Sequence, residues 1–164
     1  MDVLTLTQTE ATAVGVGFLA LGAMTVAVSA IVLILYILFV VGLWKIFVKA
    51  GEKGWKAIIP IYNVYVMFRM FWNTKMFWIL LGVSFGAGIL AGLFGGDPNN
   101  MNLFGSLIIL AASIFELVVD IMLDNRMSKS FGHGVGFTLG LIFLPFVFTI
   151  VLGFGGDKYK KIKG

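Results

Sequence analysis

In 164 residues this chain carries 60% hydrophobic and 12% charged side chains, with a mean hydropathy of +1.03, far outside the soluble range of about 45–50% apolar and 25% charged. Its net charge of +4 is too small and too scattered for a nucleic-acid footprint, which needs a concentrated basic face. The absence of cysteine excludes disulfides, thiolate metal sites and cysteine nucleophiles.

The first ten residues hold Asp2 and Glu10 but no Lys or Arg. The basic start of a cleavable signal peptide is therefore missing, and the first span is expected to be retained behind an external segment 1–10. From Ala11 to Trp44 there is no Asp, Glu, Lys, Arg or His. A helix over 11–44 would be about 50 Å long, against a hydrocarbon core of about 30 Å. It must tilt or project, and the less apolar half around Ala13, Gly15, Gly17 and Thr25 points to projection on the N-terminal side.

Residues 45–75 are aromatic and apolar, yet Pro60, Asn63 and Arg69 break them into runs too short to span. They predict a segment lying in the cytoplasmic interface, with Lys45, Lys49, Lys53 and Lys56 turned to the phosphates of anionic lipid. Further spans are expected over 76–94 and 102–123, each near the length a single crossing requires. The 135–154 stretch is also long enough to cross, but Pro145 near its middle leaves a re-entrant hairpin as the alternative, followed by a basic tail 155–164.

Basic residues gather between spans one and two, between three and four, and in the tail, while the Gly95–Met101 connection has none. The positive-inside rule then puts the N-terminus outside. Four full crossings would send the tail lysines outside, which the same rule disfavours. The fold class expected is an all-α integral membrane protein, one membrane domain over 1–164, with about four membrane helices and an interfacial amphipathic segment. Continuous rather than alternating apolarity excludes a β-barrel.

Three constellations bear on function. Gly17, Ala20, Ala23, Ala27 and Ala30 recur every three or four residues, placing small side chains on one helical face where another backbone can approach. They read either as packing within the chain or as self-association, since nothing else in the chain matches the first helix in length. Glu116 and Asp120 share a face of the third span, where a carboxylate defaults to cation or proton handling, although pairing of Asp120 or Asp124 with Arg126, Lys129 or a lysine of the first connection would give a structural role. The single His133 reads as a surface or interface residue, and Ser128-Lys129-Ser130 lacks the facing geometry a nucleophile and its base need.

Two stretches, Lys49-Ala50-Gly51-Glu52-Lys53-Gly54-Trp55-Lys56-Ala57-Ile58-Ile59-Pro60-Ile61-Tyr62-Asn63 and Lys129-Ser130-Phe131-Gly132 continuing through Leu141–Phe146 and Leu152–Gly155 to Tyr159, resemble a bacterial family of small multi-pass membrane proteins of unknown role. The resemblance covers about residues 44–160. Some members of that family are labelled signal peptidase I, a label the chain does not fit, because it lacks the sizeable external domain that carries such a serine–lysine pair. The resemblance implies a bacterial inner-membrane location and supplies no catalytic residues. The function expected is a non-enzymatic membrane protein that assembles with itself as a scaffold, without cofactor or metal. A small channel or ion-coupled transporter using Glu116 and Asp120 is the alternative, and a membrane-embedded enzyme comes third.

Overall fold

A computed structural model describes residues 3–97 and 100–162, with the side chains of 15–95 and 102–162; Met1, Asp2, Lys163 and Gly164, at the ends of the expected external segment and tail, lie outside the described residues. The chain divides into two units, Met1–Leu38 and Phe39–Gly164. The architecture is helical. The one extended pairing among the described residues is antiparallel, Gly96–Asp97 with Asn100–Met101.

The described residues of the first unit lie within helix α1, Val3–Lys49. Every residue from Gly15 to Leu38 is exposed, including Gly17, Ala20, Ala23, Ala27 and Ala30. At about 1.5 Å per residue that exposed stretch alone is about 36 Å long.

In the second unit α1 changes character. Gly42, Leu43, Ile46 and Phe47 are buried on one stripe, the spacing of a helix with a single packed face. The helix ends after Lys49, where Gly51 adopts φ +81° and the Glu52 amide reaches back to the Phe47 carbonyl at 2.8 Å. This six-to-one closure around a left-handed glycine is the Schellman stop. A 3-10 turn, Gly54–Ala57, leads to α2, Pro60–Phe71. Pro60 at the first turn lacks the N–H that a helix start cannot satisfy, and Ile59 before it is extended, as a pre-proline residue prefers. α2 buries Val66, Phe68, Met70 and Phe71. The expected interfacial segment 45–75 is thus the end of α1, a turn and a short helix, with much of its apolar surface turned into the protein.

Two antiparallel partners follow, α3 (Thr74–Phe94) and α4 (Leu103–Ser130). Asn73 caps α3 by accepting from the Met76 amide at 3.0 Å. Asn102 caps α4 through the Gly105 amide at 2.9 Å, and its own amide donates to the Phe94 carbonyl at the end of α3. α4 runs seven residues beyond the expected 102–123. Hydropathy falls at Asp124, but helical hydrogen bonding continues until Gly132, at φ +82°, closes a second Schellman stop through His133 N–H and Ser128 O.

The 135–154 stretch does not form the single crossing its length predicts. It divides into α5, Val135–Phe143, and α6, Pro145–Phe154, broken at Leu144 because Pro145 cannot donate the bond that would continue the helix. The two helices fold back on each other: the rings of Phe137 and Phe148 lie edge-on at 5.0 Å, and Phe148 occupies the space a side chain at Gly140 would need. Ser128 Oγ donates to the Gly134 carbonyl where the hairpin begins, and the Lys160 amide donates to the Ser130 carbonyl after it ends. The chain therefore leaves and returns at one place. Among the described residues three helices are long and apolar enough to cross a membrane: α1 over Gly15–Lys49, α3 and α4. At nine and ten residues, α5 and α6 are each about half the required length.

Candidate functional site

The residues of the two sequence motifs meet at the end of the second unit where α1 and α4 stop. Lys49 reaches α6 and donates to the carbonyls of Leu152 (2.5 Å) and Gly155 (2.8 Å), satisfying acceptors that a helix C-terminus leaves open. Lys45 lies 3.9 Å above the ring of Phe154. α6 therefore runs alongside the last turns of α1, with Phe146 against Phe39 and Gly153 against Gly42. A Cβ on Gly153 would come within 2.5 Å of the Gly42 carbonyl oxygen and 2.8 Å of its Cα, closer than side chains approach a backbone.

Glu52 is the second tie. It accepts from Lys56 Nζ at 2.7 Å and from Arg69 Nη2, joining the turn to α2. Lys56 above all, and the Arg69 guanidinium after it, hold the carboxyl below its ordinary value of 4.5, against partial burial that pushes it up. A lowered carboxylate stabilises the fold above pH 4.5, and that contribution is lost as pH falls through the lowered folded value. Glu52→Gln is accordingly expected to cost about 1 kcal/mol at pH 7, and its deficit relative to the parent should shrink by pH 3 in melts of the detergent-solubilised protein. The tail adds a third tie: Tyr159 Oη donates to the Met70 carbonyl at 2.7 Å. Burial, and then the charge of Glu52, push this phenol upward, keeping it a donor. His133 Nε2 lies 3.1 Å from Asp157 Oδ2, and its ring stacks on Phe137 at 4.1 Å.

Of the four lysines expected at lipid phosphates, Lys49 and Lys56 are thus engaged within the chain, Lys45 sits over an aromatic ring, and Lys53 is exposed. Their common spacing gave no hint of this, because the partners of Lys45 and Lys49 lie about a hundred positions away. Ser128 and Ser130 are fully buried while Lys129 is exposed. Ser128 already donates to a backbone carbonyl, so this triplet does not assemble a serine–lysine pair.

The intramembrane acids part company. Glu116 accepts a hydrogen bond from Ser84 of α3 at 2.5 Å. Asp120 and Asp124 instead line a cleft of ≈ 340 Å³ between α4, α2 and the break of the hairpin, with Leu141, Ile142 and Pro145 on the opposite wall. The sequence allows Asp120 or Asp124 a structural role as the partner of a nearby base. Among the described residues no ion pair joins Asp120 or Asp124 to Arg126, Lys129 or a lysine of the first connection. Neither does any group of three or more His, Asp or Glu side chains among them gather with metal-binding geometry.

Residues 55–161 match a family of unknown function, DUF5684. No curated protein matches the chain, and no solved structure does.

Proposed function

This chain belongs to the DUF5684 family, its helices make it a membrane protein, and we propose that it acts without catalysis by assembling with copies of itself as a membrane-organising scaffold. The observation that carries this reading is the exposure of every residue from Gly15 to Leu38, with Gly17, Ala20, Ala23, Ala27 and Ala30 on one stripe of it. Small side chains let backbones approach where lipid offers no hydrophobic drive to association. A second copy supplies a partner of matching length.

In the same reading the protein sits in a bacterial inner membrane with its N-terminus outside, three crossings and a hairpin that dips in from the cytoplasmic side. Lys158, Lys160 and Lys161 then share the side of Lys49 and Lys129, which removes the conflict that four crossings create with the positive-inside rule. The mass of the detergent-solubilised particle tests the assembly: a multiple of 17.9 kDa is expected, and a monomer would overturn it. Trypsin added outside sealed right-side-out vesicles should leave the tail lysines uncut.

One observation favours a second reading as a cation or proton pathway. Asp120 and Asp124 face a hairpin break, and transporters place coupling ions where interrupted helices leave carbonyls unpaired near carboxylates. Glu116→Gln and Asp120→Asn separate the two readings. Each keeps shape and removes an ionisable group, so the particle mass should be unchanged, and only a pathway would lose flux in reconstituted vesicles.

A further inference from the structure

On the face of α4 bearing Asn125 is a cleft of ≈ 380 Å³ lined by Ile121, Met122, Asn125, Arg126, Lys129 and Ile162. Its charged rim is entirely basic. Neither Arg126 nor Lys129 has a carboxylate in ion-pair range among the described residues, although Asp124 is a neighbour in sequence. Arg126 is held in place, its guanidinium 4.7 Å from the centre of the Trp72 ring. The tail is held too, since the bond from the Lys160 amide to the Ser130 carbonyl brings Ile162 across to close the cleft.

From this arrangement we infer that the cleft binds the phosphate headgroup of an anionic phospholipid. Two uncompensated cations, one of them a planar five-donor fork, match a phosphodiester anion. The depth fits as well, because Trp72 precedes α3, where tryptophan marks the headgroup level. The apolar part of the lining decides between a lipid and a free phosphate. Ile121 and Met122 continue along α4 into Val118 and Ile114, which are 49% and 55% exposed, so an apolar track for an acyl chain leads directly from the cations. Basic pockets beside membrane helices are known to hold such headgroups. The inference needs only that the chain lies in a membrane, and stands whether or not copies assemble.

Native mass spectrometry of the full-length detergent-solubilised protein titrated with phosphatidylglycerol or phosphatidylcholine tests it. The anionic lipid is expected to bind roughly thirtyfold more tightly, the equivalent of two cations at the headgroup. Arg126→Gln with Lys129→Gln should abolish that preference. Lys75→Gln with Lys158→Gln, which removes the same charge from exposed positions elsewhere, should leave it intact. Arg126→Lys with Lys129→Arg keeps both charges and should bind within about threefold. Should the double glutamine variant fail to fold, Lys129→Gln alone, at an exposed position, should still weaken the lipid about fivefold. Equal loss in the two charge-removing pairs, or an unchanged preference in Lys129→Gln, would overturn the site. Displacement of phosphatidylglycerol by millimolar inorganic phosphate would overturn the lipid assignment in favour of a soluble phosphate.

Discussion

Gly153→Leu is expected to unseat α6 from α1 and to destabilise the second unit by about 3 kcal/mol. The reason is that at this point the two helices touch through backbone, with no side chain between them. Gly42 and Gly153 face each other, and even a single Cβ on Gly153 would lie 2.5 Å from the Gly42 oxygen. A leucine has no rotamer that avoids this, because the obstruction is at its first carbon. Once α6 moves outward, Lys49 loses the carbonyls of Leu152 and Gly155, and a cation beside apolar helices is left without acceptors. Two readouts follow: a lower melting temperature in detergent, and faster tryptic cleavage at Lys158 and Lys160. Gly136→Leu is the control, since nothing lies within 4 Å of a Cβ there. A Gly153→Leu protein that melts with the parent would show that α6 is not seated against α1.

The second large effect belongs to the exposed part of α1. Replacing Ala23 and Ala27 with Leu should raise the dissociation constant of the assembly at least tenfold and shift the particle to smaller species on a sizing column, while insertion continues. Close backbone approach is what the small side chains permit, and two isobutyl groups on that stripe remove it. Val28 and Val32 lie on the opposite stripe and are 56% and 59% exposed. Enlarging both to Phe should be nearly silent, because lipid accommodates bulk that a helix interface does not. If neither pair changes the particle, the small-residue face is not the contact.

The spans of this fold are legible in the sequence where a single physical demand sets them. Apolar length alone places α3 and α4, and glycine in a left-handed conformation explains why Gly51 and Gly132 punctuate the two motifs. What local pattern could not reveal is whatever depends on a distant partner. Twenty apolar residues over 135–154 satisfy a crossing, yet Pro145 outweighs length because α6 finds a groove on α1 and Lys49 a pair of carbonyls. Gly42 belongs to no small-residue repeat, so its close contact with Gly153 left no periodic trace. The acids illustrate the same limit: Glu116 and Asp120 sit four apart, but one faces Ser84 and the other a cleft shared with Asp124. Helical spacing fixes a direction only to within a broad arc, and neighbouring helices decide what lies along it.

The Lys49 ties also order events in time. Their hydrogen bonds join positions 103 and 106 residues apart, and the Tyr159 bond to Met70 spans 89. During synthesis at about 5–20 residues per second, α1 therefore waits several seconds for the hairpin that covers its last turns. For that interval Phe39 and Gly42 lack the α6 residues that pack on them in the finished protein, and closing so large a loop is entropically demanding. The hairpin acts as a latch that can close only after α3 and α4 have been made. A nascent chain halted before Pro145 would keep its spans but leave that apolar groove open, the kind of surface that membrane quality control can detect.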